Sequence, residues 1–152
     1  KEKCNKIRFE VFVKEQNCSA ENEIDKYDSS STCHYFLAIK SSLPVGTVRI
    51  HLCDSLNSNP PDHSPEPLSP TKVTKIGRLA VLKPFRNLGI GTLLLQSAES
   101  FAMSNLGILN FILHAQLNKK EWYEKRGYRV LSDRVFIEEG IEHLKLGKTI
   151  KI

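Results

Sequence analysis

The segment from Gly77 to Leu95, GRLAVLKPFRNLGIGTLLL, limits the possible folds more than any other part of this chain. Its first half is an aliphatic run that reads as a strand, and Pro84, which has no N–H to give to a ladder, ends it. Arg86-Asn87-Leu88-Gly89-Ile90-Gly91 leads straight into a run where Ile90, Leu93, Leu94, Ala98, Phe101 and Ala102 recur at helical spacing. Gly107 is placed to stop that helix. A strand that turns through glycines into an amphipathic helix is a corner of an α/β layer. It also leaves the first helical N–H groups unpaired at the positive end of the helix dipole, a setting that suits phosphate-like anions. Gly89 and Gly91 let backbone approach a ligand closely, and Arg86 adds a charge able to fork onto a pyrophosphate.

Two common glycine-loop chemistries fail here. A nucleotide P-loop needs Lys and then Ser or Thr after its last glycine, but Gly91 is followed by Thr92 and Leu93. A dinucleotide fingerprint needs a third glycine where Leu94 stands. What remains is the spacing [QR]-x-x-G-x-[GA], met by Arg86, Gly89 and Gly91. By itself it also fits a plain strand–turn–helix corner.

The flanking sequence completes a mixed α/β pattern. Cys4 to Glu15 reads as a helix with Ile7, Val11 and Phe12 inward, and Gln16 to Thr32 as irregular with a helical turn near Ser19 to Glu23. His34 to Lys40 and Val45 to Leu52 predict a hairpin joined by Ser-Ser-Leu-Pro, and Lys75 to Leu82 a further strand. Asn110 to Gln116 reads as a buried strand, and Asn118 opens a short helix to Arg126 that Gly127 ends. Short strands are expected near Tyr128 to Leu131, Arg134 to Phe136 and His143 to Lys148. Between the second and third strands, residues 54–74 hold five of the seven prolines and many serines, which predicts an inserted loop rather than a domain boundary. The expected architecture is one domain over 1–152: a mostly antiparallel mixed sheet flanked by helices.

Composition narrows the partners. With 152 residues, 40% hydrophobic and 26% charged, the chain can build a core, and no apolar run approaches the ~18 residues of a membrane span. The net charge of +5 permits anionic partners, yet Lys and Arg are scattered and lack the interleaved aromatics of a nucleic-acid platform. The cysteines Cys4, Cys18, Cys33 and Cys53 show no metal-finger spacing and read as reduced thiols, with Cys4 and Cys33 packed as small hydrophobes. No metal, no nucleic acid, no membrane and a cytoplasmic location are the resulting expectations.

The strand Ile76 to Val81 with Arg86, Gly89 and Gly91 resembles motif A of the GCN5-related N-acetyltransferase (GNAT) superfamily. Asn118 and Glu121-Trp122-Tyr123-Glu124-Lys125-Arg126-Gly127-Tyr128 resemble its motif B. Arg8 to Gln16, Glu23 to Asp28, His114-Ala115-Gln116 and Phe136 to His143 are similar to the ElaA-like branch of small acetyltransferases. Two departures stand out. The family's first strand is missing or cut off before the opening helix, and the Pro/Ser-rich loop is longer than usual.

The resemblance implies an acyl-CoA N-acyltransferase fold and direct acetyl transfer from acetyl-CoA to a primary amine, on a small molecule or a peptide, within a ternary complex. It implies that Arg86, Asn87, Leu88, Gly89, Ile90, Gly91 and Thr92 cradle the pyrophosphate. Backbone groups of Leu79 and Val81, beside a strand bulge, would contact the thioester and the pantetheine arm. Tyr123 is the expected general acid, since a phenol is neutral at pH 7 and can protonate a thiolate. Asn118 is either a cofactor contact or a plain helix cap. For the base the choices are His114, a cluster of Glu138, Glu139 and His143, or a water chain. The acidic stretch with Glu23, Asp25 and Asp28 lies where such enzymes frame the acceptor and is expected to attract a cationic amine. Competing readings are a catalytically idle acyl-CoA-binding module and an acyltransferase with another donor or acceptor. An uncovered sheet edge would invite a homodimer.

Overall fold

Residues 1–53 and 72–152 are described by the computed structural model. Helix α1 (Glu2–Arg8) runs on as a π-helix over Phe9–Glu15, with Gln16 N–H donating to the Val11 carbonyl at 3.0 Å. A short α2 (Ala20–Glu23) and a 3₁₀ turn (Lys26–Ser29) precede the hairpin of β1 (His34–Lys40) and β2 (Leu43–Cys53). Then follow β3 (Val73–Val81), α3 (Ile90–Leu106), β4 (Asn110–Gln116), α4 (Lys120–Glu124), β5 (Arg129–Val130), β6 (Phe136–Glu138) and β7 (Ile141–Thr149).

Several boundaries differ from the sequence reading. The β1–β2 turn is only Ser41-Ser42, both at positive φ, so Leu43 and Pro44 belong to β2; the register shift beside Ile39 accommodates the proline. The third strand begins at Val73, two residues before the expected start. The expected loop over 54–74 otherwise lies outside the described residues up to 71. Asn118 sits exposed on a 3₁₀ turn (Leu117–Lys119), and α4 has Lys119 at its N-cap with no side-chain cap bond, so the capping role read for Asn118 is not realised. Cys33 is half-buried rather than core, while all four cysteines are free thiols.

The sheet runs β1-β2-β3-β4-β7-β5, with β6 also on β7, and every pairing is antiparallel except β3 with β4. Strand alternation divides its two faces. Val48, Ile50, Ile76, Phe111, Leu113, Ala115, Leu144 and Leu146 form one buried face against Leu94, Leu95, Ala98 and Ala102 of α3. On the opposite face, Ile7 and Val11 of the first helix cover Ala80. Farther across that face the alternating residues are polar: Arg49, His51, Lys75, His114, Gln116, His143 and Lys145 line a cavity.

Two irregularities in β3 shape this cavity. Thr47 pairs with Ala80 but Arg49 pairs with Gly77, so Val48 stands opposite two residues, Arg78 and Leu79. This is a β-bulge, with Arg78 at φ 54. It reverses the alternation: Ile76 joins the α3 side before it, whereas Leu79 and Val81 join that side after it and Ala80 turns to the first helix. In addition, β3 and β4 pair only through Thr74–Phe111, Lys75–Ile112 and Ile76–Leu113. Beyond Ile76 and Leu113 the two parallel strands have no ladder between them, and the edge of Gly77–Val81 opens onto a cleft.

Candidate active site

The glycine loop lies at the end of β3. Asn87 (φ 63) and Gly89 (φ 81) both take left-handed backbone, and Gly89 is the N-cap of α3 with no side-chain cap bond. The first helical hydrogen bond runs from Leu93 N–H to the Gly89 carbonyl, 3.1 Å, which leaves the N–H groups of Ile90, Gly91 and Thr92 without a helical acceptor. A Cβ on Gly91 would stand 3.3 Å from Cζ2 of Trp122, so α4 packs against the loop closely enough that a larger residue there would push the indole aside by a few tenths of an ångström. Arg126 fixes the same junction: its guanidinium lies 3.7 Å over the Trp122 ring and donates to Thr92 Oγ1 at 2.8 and 2.9 Å.

Arg86 is engaged within the protein. Its Nε donates to the Val81 carbonyl at 2.9 Å, and its two terminal nitrogens fork onto Glu15 at 2.7 and 2.8 Å. The guanidinium holds the Glu15 carboxyl below its usual range. This pair ties the π-helix to the glycine loop. One residue on, Gln16 accepts from Gln116 Nε2 at 2.7 Å and so bridges to the far wall of the cleft. Glu15 and Gln16 were not singled out by sequence pattern as site residues; their shared position at the end of the first helix is the signal that locates them.

The cavity, about 660 Å³, is lined by Leu79, His114, Tyr123, Glu138, Glu139, His143, Glu23 and Asp25 among the residues expected at a site, but not by Asp28, Asn118, Val81 or any residue from Arg86 to Thr92. Tyr123 projects from α4 between Trp122 and Tyr128, with ring centroids at 4.9 and 5.9 Å. Burial pushes its phenol up to about 12, against a small opposing effect of Arg126. It is therefore a neutral O–H donor throughout the physiological range.

The two clusters considered for the base form one. His114 Nδ1 lies 2.7 Å from Glu138 Oε1, and Phe136 stands between His114 and His143, at 4.9 and 5.9 Å from their ring centres. Burial alone would raise the Glu138 carboxyl; the hydrogen bond and charge of His114, with His143 and Lys75, bring it below its ordinary value. An ionised carboxylate only accepts, so Nδ1 carries the proton shared with Glu138. Glu139 does something else. At φ 51 in the β6–β7 turn, it accepts from Ser19 N–H at 2.9 Å and Asn22 Nδ2 at 2.8 Å, tying that turn to α2.

The acidic stretch is neutralised from within. Arg8, wholly buried, pairs with Glu23 at 2.9 Å and Asp28 at 2.7 Å. Arg49 pairs with Asp25 and Asp28 at 2.8 and 3.1 Å, and Arg78 with Glu23 and Asp25 at 3.2 and 3.3 Å. Despite burial, the hydrogen bonds from Arg8 and Tyr35 hold the Asp28 carboxyl far below its usual range. The three acids expected to draw in a cationic amine are thus matched by three arginines, and Asp28 is out of the cavity's reach. Among the described residues no group of three or more His, Cys, Asp or Glu side chains could hold a metal ion, and no helix is long and apolar enough to cross a membrane.

Comparison with known proteins matches residues 2–150 to the Acetyltransferase (GNAT) domain. YjcF of Bacillus subtilis, which bears the name of an uncharacterized N-acetyltransferase, is 35% identical over 142 residues, 93% of this chain and 87% of its own. The crystal structure of Escherichia coli ElaA superposes with a TM-score of 0.74 at 24% identity, covering 97% of this chain and 88% of ElaA. A GNAT acetyltransferase of Elizabethkingia anophelis, solved with acetyl-CoA bound, has a TM-score of 0.62 at 20% identity, covering 93% and 90% of the two chains.

Proposed function

This chain belongs to the GNAT acetyltransferase family, and on that premise we propose that it moves an acetyl group from acetyl-CoA directly onto a primary amine bound in the same cavity. The observation that carries this reading is the cavity where β3 and β4 part, which is lined by a neutral tyrosine and a histidine–carboxylate pair, in a chain whose β3 leads through the glycine loop into an uncapped helix N-terminus. The residues fit the donor. Three unpaired amides at Ile90, Gly91 and Thr92 suit a pyrophosphate, and the unladdered edge of Gly77–Val81 suits an extended amide-bearing arm. Acetyl-CoA bound in the Elizabethkingia anophelis neighbour supports that choice.

Bound acetyl-CoA supplies the acetyl group and leaves as its thiol. The chain's own residues divide the remaining work. Asn87, Leu88 and Gly89 shape the loop, and Arg86, forked onto Glu15 and bonded to the Val81 carbonyl, fixes the start of the loop rather than offering a free fork. The backbone N–H of Leu79, at the bulge, faces developing negative charge on the thioester oxygen; Val81 aligns the arm. His114, oriented by Glu138, takes a proton from the amine at Nε2. Tyr123 gives its proton to the departing sulfur. Its high pKa is no obstacle, because the dry surroundings that disfavour phenolate disfavour thiolate as well. Asn118 stays with the donor side as an exposed polar contact.

Release of CoA thiol across a panel of primary amines, after a thermal shift has established acetyl-CoA binding, tests the reading. Saturable release that needs both substrates is expected. A protein that gains no stability from acetyl-CoA would refute it.

A further inference from the structure

His51 is a buried imidazole whose ring nitrogens have no hydrogen-bond partner among the described residues. It is 3% exposed and lines the cavity described above. One face of its ring stacks on Tyr27 at 4.0 Å and 11°, which fixes the plane and leaves the nitrogens on the ring's edge. Two unpaired nitrogens in a buried ring cost free energy that a soluble domain recovers only if something else uses them.

The neighbour across the ladder is Lys75, paired with His51 in the β2–β3 register and therefore on the same face. Lys75 is half-buried, lines the same cavity, and among the described residues has no carboxylate within ion-pair distance. Arg49 and Arg78 nearby are already matched by Glu23, Asp25 and Asp28. Elsewhere on the wall, Lys119 and Arg134 stand against Glu138 and Glu139. Among the described residues the floor at His51 and Lys75 is thus basic, with no carboxylate in ion-pair reach of Lys75, in place of the acidic lining a simple cationic amine would favour. Burial draws both His51 and Lys75 towards their neutral forms, and Arg49 adds to the effect on each. An anion seated there would relieve both.

We propose that the acceptor carries an anionic group, a carboxylate or a phosphoryl group, which accepts from the His51 ring N–H and the Lys75 ammonium while the acceptor's amine faces His114 and Tyr123. This rests on the acetyltransferase reading of the cavity and names the class of amine it serves: an amino acid or an amino phosphate in place of a plain amine or polyamine. Register supports the spacing. Lys75 pairs with Ile112, and His114 is two residues farther along β4, so the two ends of the acceptor site are about 8 Å apart at the backbone. A small molecule with a few bonds between amine and anion spans that distance.

The test compares acceptors that share a skeleton: glycine with glycinamide, 4-aminobutyrate with 4-aminobutanamide, and 3-aminopropylphosphonate with propylamine. CoA release is expected to favour the anionic member about tenfold or more in kcat/KM, and the carboxylate and phosphonate arms tell which anion is preferred. Lys75→Met and His51→Phe should raise KM for the anionic member without moving KM for acetyl-CoA, and Lys75→Arg should restore much of the preference. Equal use of the neutral partners, or a preference unchanged in both variants, overturns the proposal. The His51 ring resonance, identified by its loss in His51→Phe, gives a readout independent of turnover. Glycine or 3-aminopropylphosphonate should move it in the free protein and the neutral partners should not; equal responses overturn the proposal. Absence of acetyl-CoA binding would instead refute the transferase reading, with the anion site still decided by the resonance.

Discussion

His114 of β4 and Glu138 of β6 meet at 2.7 Å although the two strands are not neighbours in the sheet; each pairs with β7. The hairpin β6–β7 brings Glu138 over the face on which His114 stands, and its turn is anchored by Glu139 to Ser19 and Asn22. This histidine–carboxylate pair is therefore assembled by a strand that adds only three residues to the sheet.

If His114 takes the amine's proton, His114→Ala should lower kcat about 10²-fold or more. Glu138→Gln keeps a hydrogen-bond partner but loses the charge, and should cost less, about tenfold. Steady-state kinetics at saturating acetyl-CoA separates the two. Equal rates for wild type and His114→Ala would move the role to His143 or to water.

Tyr123→Phe removes one hydroxyl from an aromatic cluster that also holds Trp122 and Tyr128. Folding should change little, while kcat falls about 10²-fold and KM for acetyl-CoA stays close to wild type. Because burial pushes the phenol up to about 12, its protonated form persists as pH rises to 10, so no loss of rate in that interval should trace to Tyr123. A pH–rate profile checks this.

The glycine loop offers a contrast between two substitutions. At Gly89 nothing stands within 4 Å of an added Cβ, so Gly89→Ala pays only for left-handed backbone, about 1–2 kcal/mol. At Gly91 the Cβ meets Trp122 at 3.3 Å, and the indole must shift. Both should raise KM for acetyl-CoA more than KM for the amine. Thermal melts with and without acetyl-CoA distinguish lost folding from lost binding.

Arg8→Met should be among the most damaging substitutions in the chain. It takes the wholly buried guanidinium from Glu23 and Asp28 and leaves them only Arg78 and Arg49, a change costing up to about 3–5 kcal/mol. The Asp28 carboxyl is depressed in the folded state, so its contribution is present above the unfolded pKa of about 3.9 and is lost as pH falls towards the folded value. Denaturant melts of Asp28→Asn should accordingly show a deficit at pH 7 that narrows in strong acid.

His51 predicts a separate pH dependence. Burial, with Arg49 and Lys75, lowers its pKa from about 6.5 to about 4. The unfolded chain therefore binds a proton that the folded chain refuses. Stability should drop between pH 6.5 and pH 4, by up to about 3 kcal/mol, and level off below. Melts of His51→Phe over the same interval should lack that slope.

Much of this protein is visible locally. Ile90, Leu94, Ala98 and Ala102 share one helical face, Gly107 takes the left-handed C-cap, and Asn110–Gln116 is the strand the apolar run announces. Arg86, Gly89 and Gly91 locate the loop, and Tyr123 enters the cavity from the helix where motif B stands. Such signals depend on spacing within about one turn or one strand, which a linear pattern contains. Charge is legible only as a count. Glu23, Asp25 and Asp28 look like a solvated acidic patch until Arg8, Arg49 and Arg78 are seen to close around them from three separate elements.

The sequence by itself determined the elements, their order, the glycine corner and the family to which they are similar. Tertiary structure decided what each charged residue does: that Arg86 holds Glu15, that Glu138 serves His114, and that His51 and Lys75 stand together on a basic floor. The reason is physical. A helix or strand is specified by contacts a few residues apart, whereas an ion pair or a cavity wall depends on sheet register and on one bulge at Arg78–Leu79, which reverses every side chain after it.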